Sequence, residues 1–191
     1  MDAHEMVMGL AVGLGLAAAC GFRVFVPLLA MSVGVRAEYL DVASNMEWVG
    51  STPALLAFGC ATGLEIAGYY VPWVDNALDA VATPAAVVAG TLATSSMITG
   101  MDPLLQWSVG LVAGGGVAGT VQLATVATRA TSSLTTAGLG NPVVSTAEAG
   151  ASTGLAILAI AVPIVALLLV VLMFTGLFRL LFRRRRLRPA I

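Results

Sequence analysis

Apolar residues in this chain come in runs too long for an ordinary soluble helix, set apart by short clusters of acids, prolines and glycines. A helix needs about 20 such residues to cross the hydrocarbon of a bilayer. The pattern predicts five membrane segments, over 6–35, 53–73, 77–99, 104–128 and 153–178, followed by a basic tail at 179–191. The first contains Arg23 and is expected to bend at Pro27. Arg36, Glu38, Asp41 and Glu47 mark the connection that follows, with Tyr39 and Trp48 as interfacial anchors. The second segment carries Glu65 and ends in the aromatic belt Tyr69-Tyr70-Val71-Pro72-Trp73. The third, with Asp79 near its start and Pro84 within, is read either as a full crossing or as a re-entrant dip. Arg129 closes the uncharged fourth segment. A Ser/Thr/Gly loop over 131–152 then leads to the fifth, which contains Pro163.

The predicted fold class is all-α: a polytopic transmembrane helical bundle forming one domain over 1–191. Composition agrees, since 59% of residues are hydrophobic and 10% charged, against about 25% charged in a soluble domain. The net charge of -1 says little, but its distribution says more: there is no Lys, and six of nine Arg lie beyond Phe178. Short basic flanks stay in the cytoplasm, so the expected location is a bacterial inner (plasma) membrane, multi-pass, with the C-terminus cytoplasmic. Five spans would then put Arg36 inside and Arg129 with its loop outside; four spans would put Arg36 outside. The start lacks the basic region of a signal peptide, so the first apolar segment is expected to be retained. An offset of 95 positions aligns Gly15, Leu16, Ala18, Gly21, Val26 and Leu28 with Gly110, Leu111, Ala113, Gly116, Val121 and Leu123. That is one route to an inverted internal repeat of the kind transporters use, although matches come easily in so Gly- and Ala-rich a chain.

Arg23 is the sharpest chemical signal, because a guanidinium does not deprotonate in proteins and at bilayer depth costs at least about 2.5 kcal/mol. It lies twelve residues before Val35, and Glu65 lies twelve after Pro53, about 18 Å from one membrane face in each case. Antiparallel neighbours would place the two at one depth, either as an ion pair fixing helix register or as a polar centre for an anion, cation or proton. Asp75 and Asp79 share a helical face and read as capping acids or as an approach to Glu65. No His/Cys set supports a metal, His4 is the only His, and no cofactor is implied. Cys20 and Cys60 read as packing residues. Gly9/Gly13, Gly59/Gly63, Gly110/Gly114 and Gly115/Gly119 each fit the small-xxx-small spacing of packed membrane helices. Gly140, Asn141, Pro142 and Ser145, with Glu148 beyond, form a turn-rich candidate functional loop.

These residues together resemble a bacterial integral-membrane family catalogued as a domain of unknown function, DUF4126-like. The resemblance rests on Gly21-Phe22-Arg23 with Pro27, on Glu65, on Pro72, Asp75, Asp79 and Pro84, and on Gly138-Leu139-Gly140-Asn141-Pro142-Val143 with Ser145 and Glu148. It departs at Tyr69-Tyr70, Thr83 and Ala149, where the family is expected to carry charged residues. The resemblance implies no established activity. The leading expectation is a small transporter or channel-like protein with a buried Arg23–Glu65 centre and a small anionic or cationic substrate. The alternative is a structural or assembly subunit of a larger membrane complex. No nucleophile–base pair points to an enzyme. Expected partners are the lipid bilayer and either a homo-oligomer or a membrane-complex partner, with no nucleic acid.

Overall fold

The computed structural model describes residues 3–186, apart from the side chains of residues 3, 72, 73, 75, 76, 79 and 180–186. The described residues are helical with no strand, an all-α membrane bundle. Its helices are α1 (Ala3–Cys20), α2 (Phe25–Arg36), α3 (Thr52–Gly68), α4 (Pro72–Met97), α5 (Pro103–Val109), α6 (Gly116–Thr136), α7 (Asn141–Ala161) and α8 (Pro163–Arg186). A 3₁₀ turn, Ser44–Gly50, precedes α3, and a π-helical segment, Gly110–Gly115, joins α5 to α6 without a break. Three helical stretches, within α4, over α5–α6 and along α7, are long and apolar enough to cross a membrane, and the bent pair of 3₁₀ turn and α3 makes a fourth.

Two predicted spans are in fact hairpins. The 6–35 segment does not bend at Pro27 and continue; it breaks at Gly21–Val24 and returns. Glu5, Met8 and Val12 of α1 therefore share a cavity wall with Tyr39, Leu40 and Asp41, which follow α2. At 1.5 Å per residue α2 is about 18 Å long, too short to cross alone, so the hairpin tip ends inside the bundle. The 153–178 segment likewise breaks at Val162, and α8 runs back along α7. Leu158 and Leu155 line one cavity with Leu169 and Val170, and Val143 and Val144 line another with Met173 and Leu177. Segment 77–99 is one helix, with Pro84 inside it. The expected loop at 131–152 is almost wholly helical: α6 runs on to Thr136, and α7 begins at Asn141.

These breaks revise the sidedness. The α6–α7 turn lies at the same end as the C-terminal end of α8, and Arg36 lies at the end where α1 begins. Arg36 and the C-terminal arginines are thus at opposite ends, and the Gly140 turn is on the arginine side. The 95-residue offset pairs the α1–α2 break with continuous helix at Gly116–Gly119, so the two aligned stretches do not share a local structure.

Close helix approach is built on glycine. A Cβ on Gly114 would meet the Gly90 carbonyl oxygen at 2.4 Å, and one on Gly21 would meet Val121 Cβ at the same distance. The first contact lets α4 lie against the π segment; the second seats the hairpin tip on α6. Thr94 Oγ1 donates to Gly13 O (3.1 Å), and Gln106 Nε2 donates to Ser95 O (2.8 Å), tying α1 and α5 to α4. The apolar core collects Leu16, Leu28, Met31 and small residues of α4 and α7 such as Ala93 and Ala159.

Candidate polar centre

The α1–α2 break leaves backbone amides bare at membrane depth, where an unpaired polar group costs several kcal/mol. Glu65 on α3 answers this. Its Oε1 accepts from Val24 N (2.7 Å) and its Oε2 from Phe25 N (3.0 Å), so its carboxylate caps α2, where the helix dipole favours an anion. The matched depth expected for Arg23 and Glu65 holds, because α2 and α3 are antiparallel and Arg36 Nη1 reaches Thr52 Oγ1 at their other end (2.9 Å). Their expected direct ion pair is replaced by two separate engagements: Glu65 holds backbone, and Arg23 turns to α7.

Arg23 is 1% exposed. Its Nη2 donates to the Ser145 carbonyl oxygen (2.8 Å) and to Ser145 Oγ (2.5 Å), and lies 3.5 Å from Glu148 Oε2. Glu148 is bound more tightly by Arg129 of α6, whose Nε lies 3.1 and 3.0 Å from the two carboxylate oxygens and whose Nη2 also donates to Oε2. One carboxylate thus bridges two guanidiniums. Both guanidiniums also lie over the Tyr69 ring, with Cζ 3.8 Å (Arg23) and 4.0 Å (Arg129) from its centroid. An aromatic face attracts a cation most where water is excluded, and Tyr69 is buried. Ser152 Oγ donates to Ala19 O (3.0 Å), securing the last turn of α1 beside this cluster.

Two arginines and two glutamates balance within one buried group. The balance of hydrogen bonds is less complete. Arg23 Nε and Nη1, like Thr62 Oγ1, are buried with no partner among the described residues. Guanidinium has five N–H donors, so three of those on Arg23 are unused. Each buried unsatisfied donor costs about 1–3 kcal/mol, which marks a place where water or an acceptor group would be held strongly.

The structure thus gathers Arg23, Glu65, Ser145 and Glu148. Asp75 and Asp79 fall in the first turns of α4, but their side chains lie outside the described residues. Gly140, Asn141 and Pro142 play a local part in the α6–α7 turn. Ala137 and Gly138 take positive φ there (51° and 86°), Gly140 N donates to Thr136 Oγ1 (2.9 Å) and Asn141 Nδ2 to Ser133 Oγ (3.0 Å). Pro142 stands in the first turn of α7. Sequence reasoning missed Arg129 and Tyr69, reading them as a segment end and a membrane-surface aromatic. The signal for Arg129 was available: it lies nine residues before Gly138, and Glu148 lies eight after Gly140, which sets them level on any helical hairpin turning there. Among the described residues no group of three or more His, Cys, Asp or Glu is placed to hold a metal.

No curated protein and no solved structure matches the chain. The family model described as Domain of unknown function (DUF4126) matches residues 10–183. That span takes in the hairpin tip, Glu65, the α6–α7 turn and every residue of the polar centre, and the chain belongs to this family.

Proposed function

We propose that this membrane protein is a small transporter or channel-like protein in which Arg23 receives a small anionic solute. One observation carries the reading: a guanidinium 1% exposed keeps Nε and Nη1 without partners among the described residues. Evolution toward stability alone would favour satisfying or removing such donors. A helix broken at depth beside an ionisable cluster is also how many transporters build their binding sites. Glu148 and Arg129 hold the site in shape, Glu65 keeps the broken helix capped, and the unused donors of Arg23 offset part of the desolvation of an entering anion. The C-terminal arginines are proposed to face the cytoplasm.

The test is flux into proteoliposomes, with chloride, nitrate and formate as probes. The protein should carry at least one of them above the rate of empty vesicles, and Arg23→Gln should lower that rate at least about tenfold, a 1.4 kcal/mol effect. Arg23→Lys, which keeps the charge but not the planar donor set, should also be impaired. Equal flux in all three proteins would remove Arg23 from the mechanism.

A second reading, an assembly subunit, is favoured by α3. Gly9/Gly13, Gly110/Gly114 and Gly115/Gly119 are used within the bundle, but a Cβ at Gly63 would meet nothing within 4 Å and one at Gly59 only Leu29. Leu56 and Leu64 beside them are exposed. Such a face suits a second membrane helix, and co-purification of a stable membrane partner lost in Gly63→Leu would support this role.

A further inference from the structure

Two adjoining cavities run along the seam between α7 and α8. The first, about 480 Å³, is walled by α6, α7 and α8, with Thr120, Val121, Val143, Val144, Phe174 and Leu177 among its lining. The second, about 340 Å³, continues along Gly154, Leu155 and Leu158 of α7 against Leu169 and Val170 of α8. They share Phe22, Ala151 and Met173. From Val143 to Leu158 the groove follows α7 for about 22 Å at 1.5 Å per residue. One leaflet of hydrocarbon is about 15 Å deep, half of a 30 Å core. The groove is therefore long enough for a whole extended acyl chain. Its wall has one charged residue, Glu148, whose carboxylate is engaged by Arg129.

The end of the groove nearest Leu177 is also the basic end of the molecule. Arg179 stands two residues beyond Leu177, and the sequence continues with Arg183, Arg184, Arg185, Arg186 and Arg188. Basic residues next to a membrane helix attract anionic headgroups. An apolar slot of leaflet length, whose lining reaches Leu177 just before a run of arginines in the sequence, has the complementarity of an anionic amphiphile with one chain lying parallel to the helices. We propose that this groove is a binding site for an anionic glycerophospholipid of the surrounding bilayer, one acyl chain lying between α7 and α8 and the phosphate held by the arginines that end α8. This site is separate from the Arg23 centre and stands whether or not that centre conducts a solute.

The experiment is native mass spectrometry of the full chain released from nanodiscs made of equal parts phosphatidylglycerol and phosphatidylcholine. The protein should leave with one bound phospholipid, phosphatidylglycerol favoured at least about tenfold, as expected when several arginines meet one phosphate. Ala151→Trp, at an exposed position where the two cavities meet, should abolish retention while helix content and melting temperature stay as they were. Leu168→Trp, exposed on α8 and outside both cavities, should retain lipid normally. Replacing Arg183, Arg184, Arg185 and Arg186 by Gln should erase the preference between headgroups but leave chain retention. Equal retention of both lipids by the unaltered protein, retention that survives Ala151→Trp, or equal loss in Leu168→Trp would each overturn the proposal.

Discussion

A carboxylate shared by two guanidiniums is the residue-level fact from which most of this molecule follows. Removing one partner of a buried pair leaves an uncompensated charge, at a cost of about 3–5 kcal/mol. Glu148→Gln should therefore lower the thermal stability of the detergent-solubilised protein by that order, and Glu148→Gln with Arg129→Met should recover a substantial part of the loss. Tyr69→Leu, which deletes the ring under both cations, should cost about 2 kcal/mol. A Glu148→Gln variant as stable as the parent would mean that water reaches both arginines. At this scale the sequence was legible where depth could be counted from a segment end, as with Arg23 and Glu65. It was illegible where a polar, Thr-rich stretch concealed helix. Arg129 sits among Thr125, Thr128 and Thr131, whose hydroxyls can donate back to the carbonyl one turn earlier, as Thr128 and Thr131 do (2.9 and 2.8 Å). Such residues look like loop in composition and behave as helix in lipid, where the backbone must bond to itself.

At the level of elements, three prolines meet three fates. Pro84 stays within α4, Pro163 opens α8 after a full reversal, and Pro27 sits inside α2 while the reversal happens upstream at Gly21–Val24. Proline removes a donor and disfavours helix before it, but whether the chain kinks or doubles back depends on what receives the freed backbone groups. Glu65 does so for α2, a partner 41 positions away from Val24 that no local pattern reveals. The all-α bundle survived this gap; the five predicted crossings did not, because two of them are hairpins. Packing of these elements gives a contrast between two glycines. Gly114→Ala forces a Cβ against the Gly90 carbonyl and Thr94, and should destabilise by about 1–3 kcal/mol. Gly63→Ala enters open space and should leave the melting temperature of the monomer unchanged. Equal effects of the two would show that α4 and the π segment separate readily.

Across the whole molecule, α1 begins at the end opposite the one where α8 stops, and the arginines that end α8 are at the second end. If that end is cytoplasmic, as proposed, a membrane-impermeant maleimide applied to intact cells should label Ala37→Cys and spare Leu139→Cys, in a background lacking Cys20 and Cys60. Labelling of both from one side would break the hairpin assignments that separate these positions. The polar centre then lies about 10 Å beneath the arginine end, since Arg129 and Glu148 are each seven residues from the ends of their helices.

The π segment bears on how a single rod can serve two neighbours. In an uninterrupted α-helix at 100° per residue, Gln106 and Arg129 would point about 140° apart. The one residue that a π bulge absorbs brings them to within about 40°. A single looped-out residue in the middle of the rod thus works as a phase shifter, letting the half that clasps α4 and the half that reaches Glu148 look inward together. Losing one exposed residue there, such as Val112, would close the rod into plain α-helix at the same phase of about 40°, whereas straightening the bulge at full length would turn one of the two polar side chains out into oil.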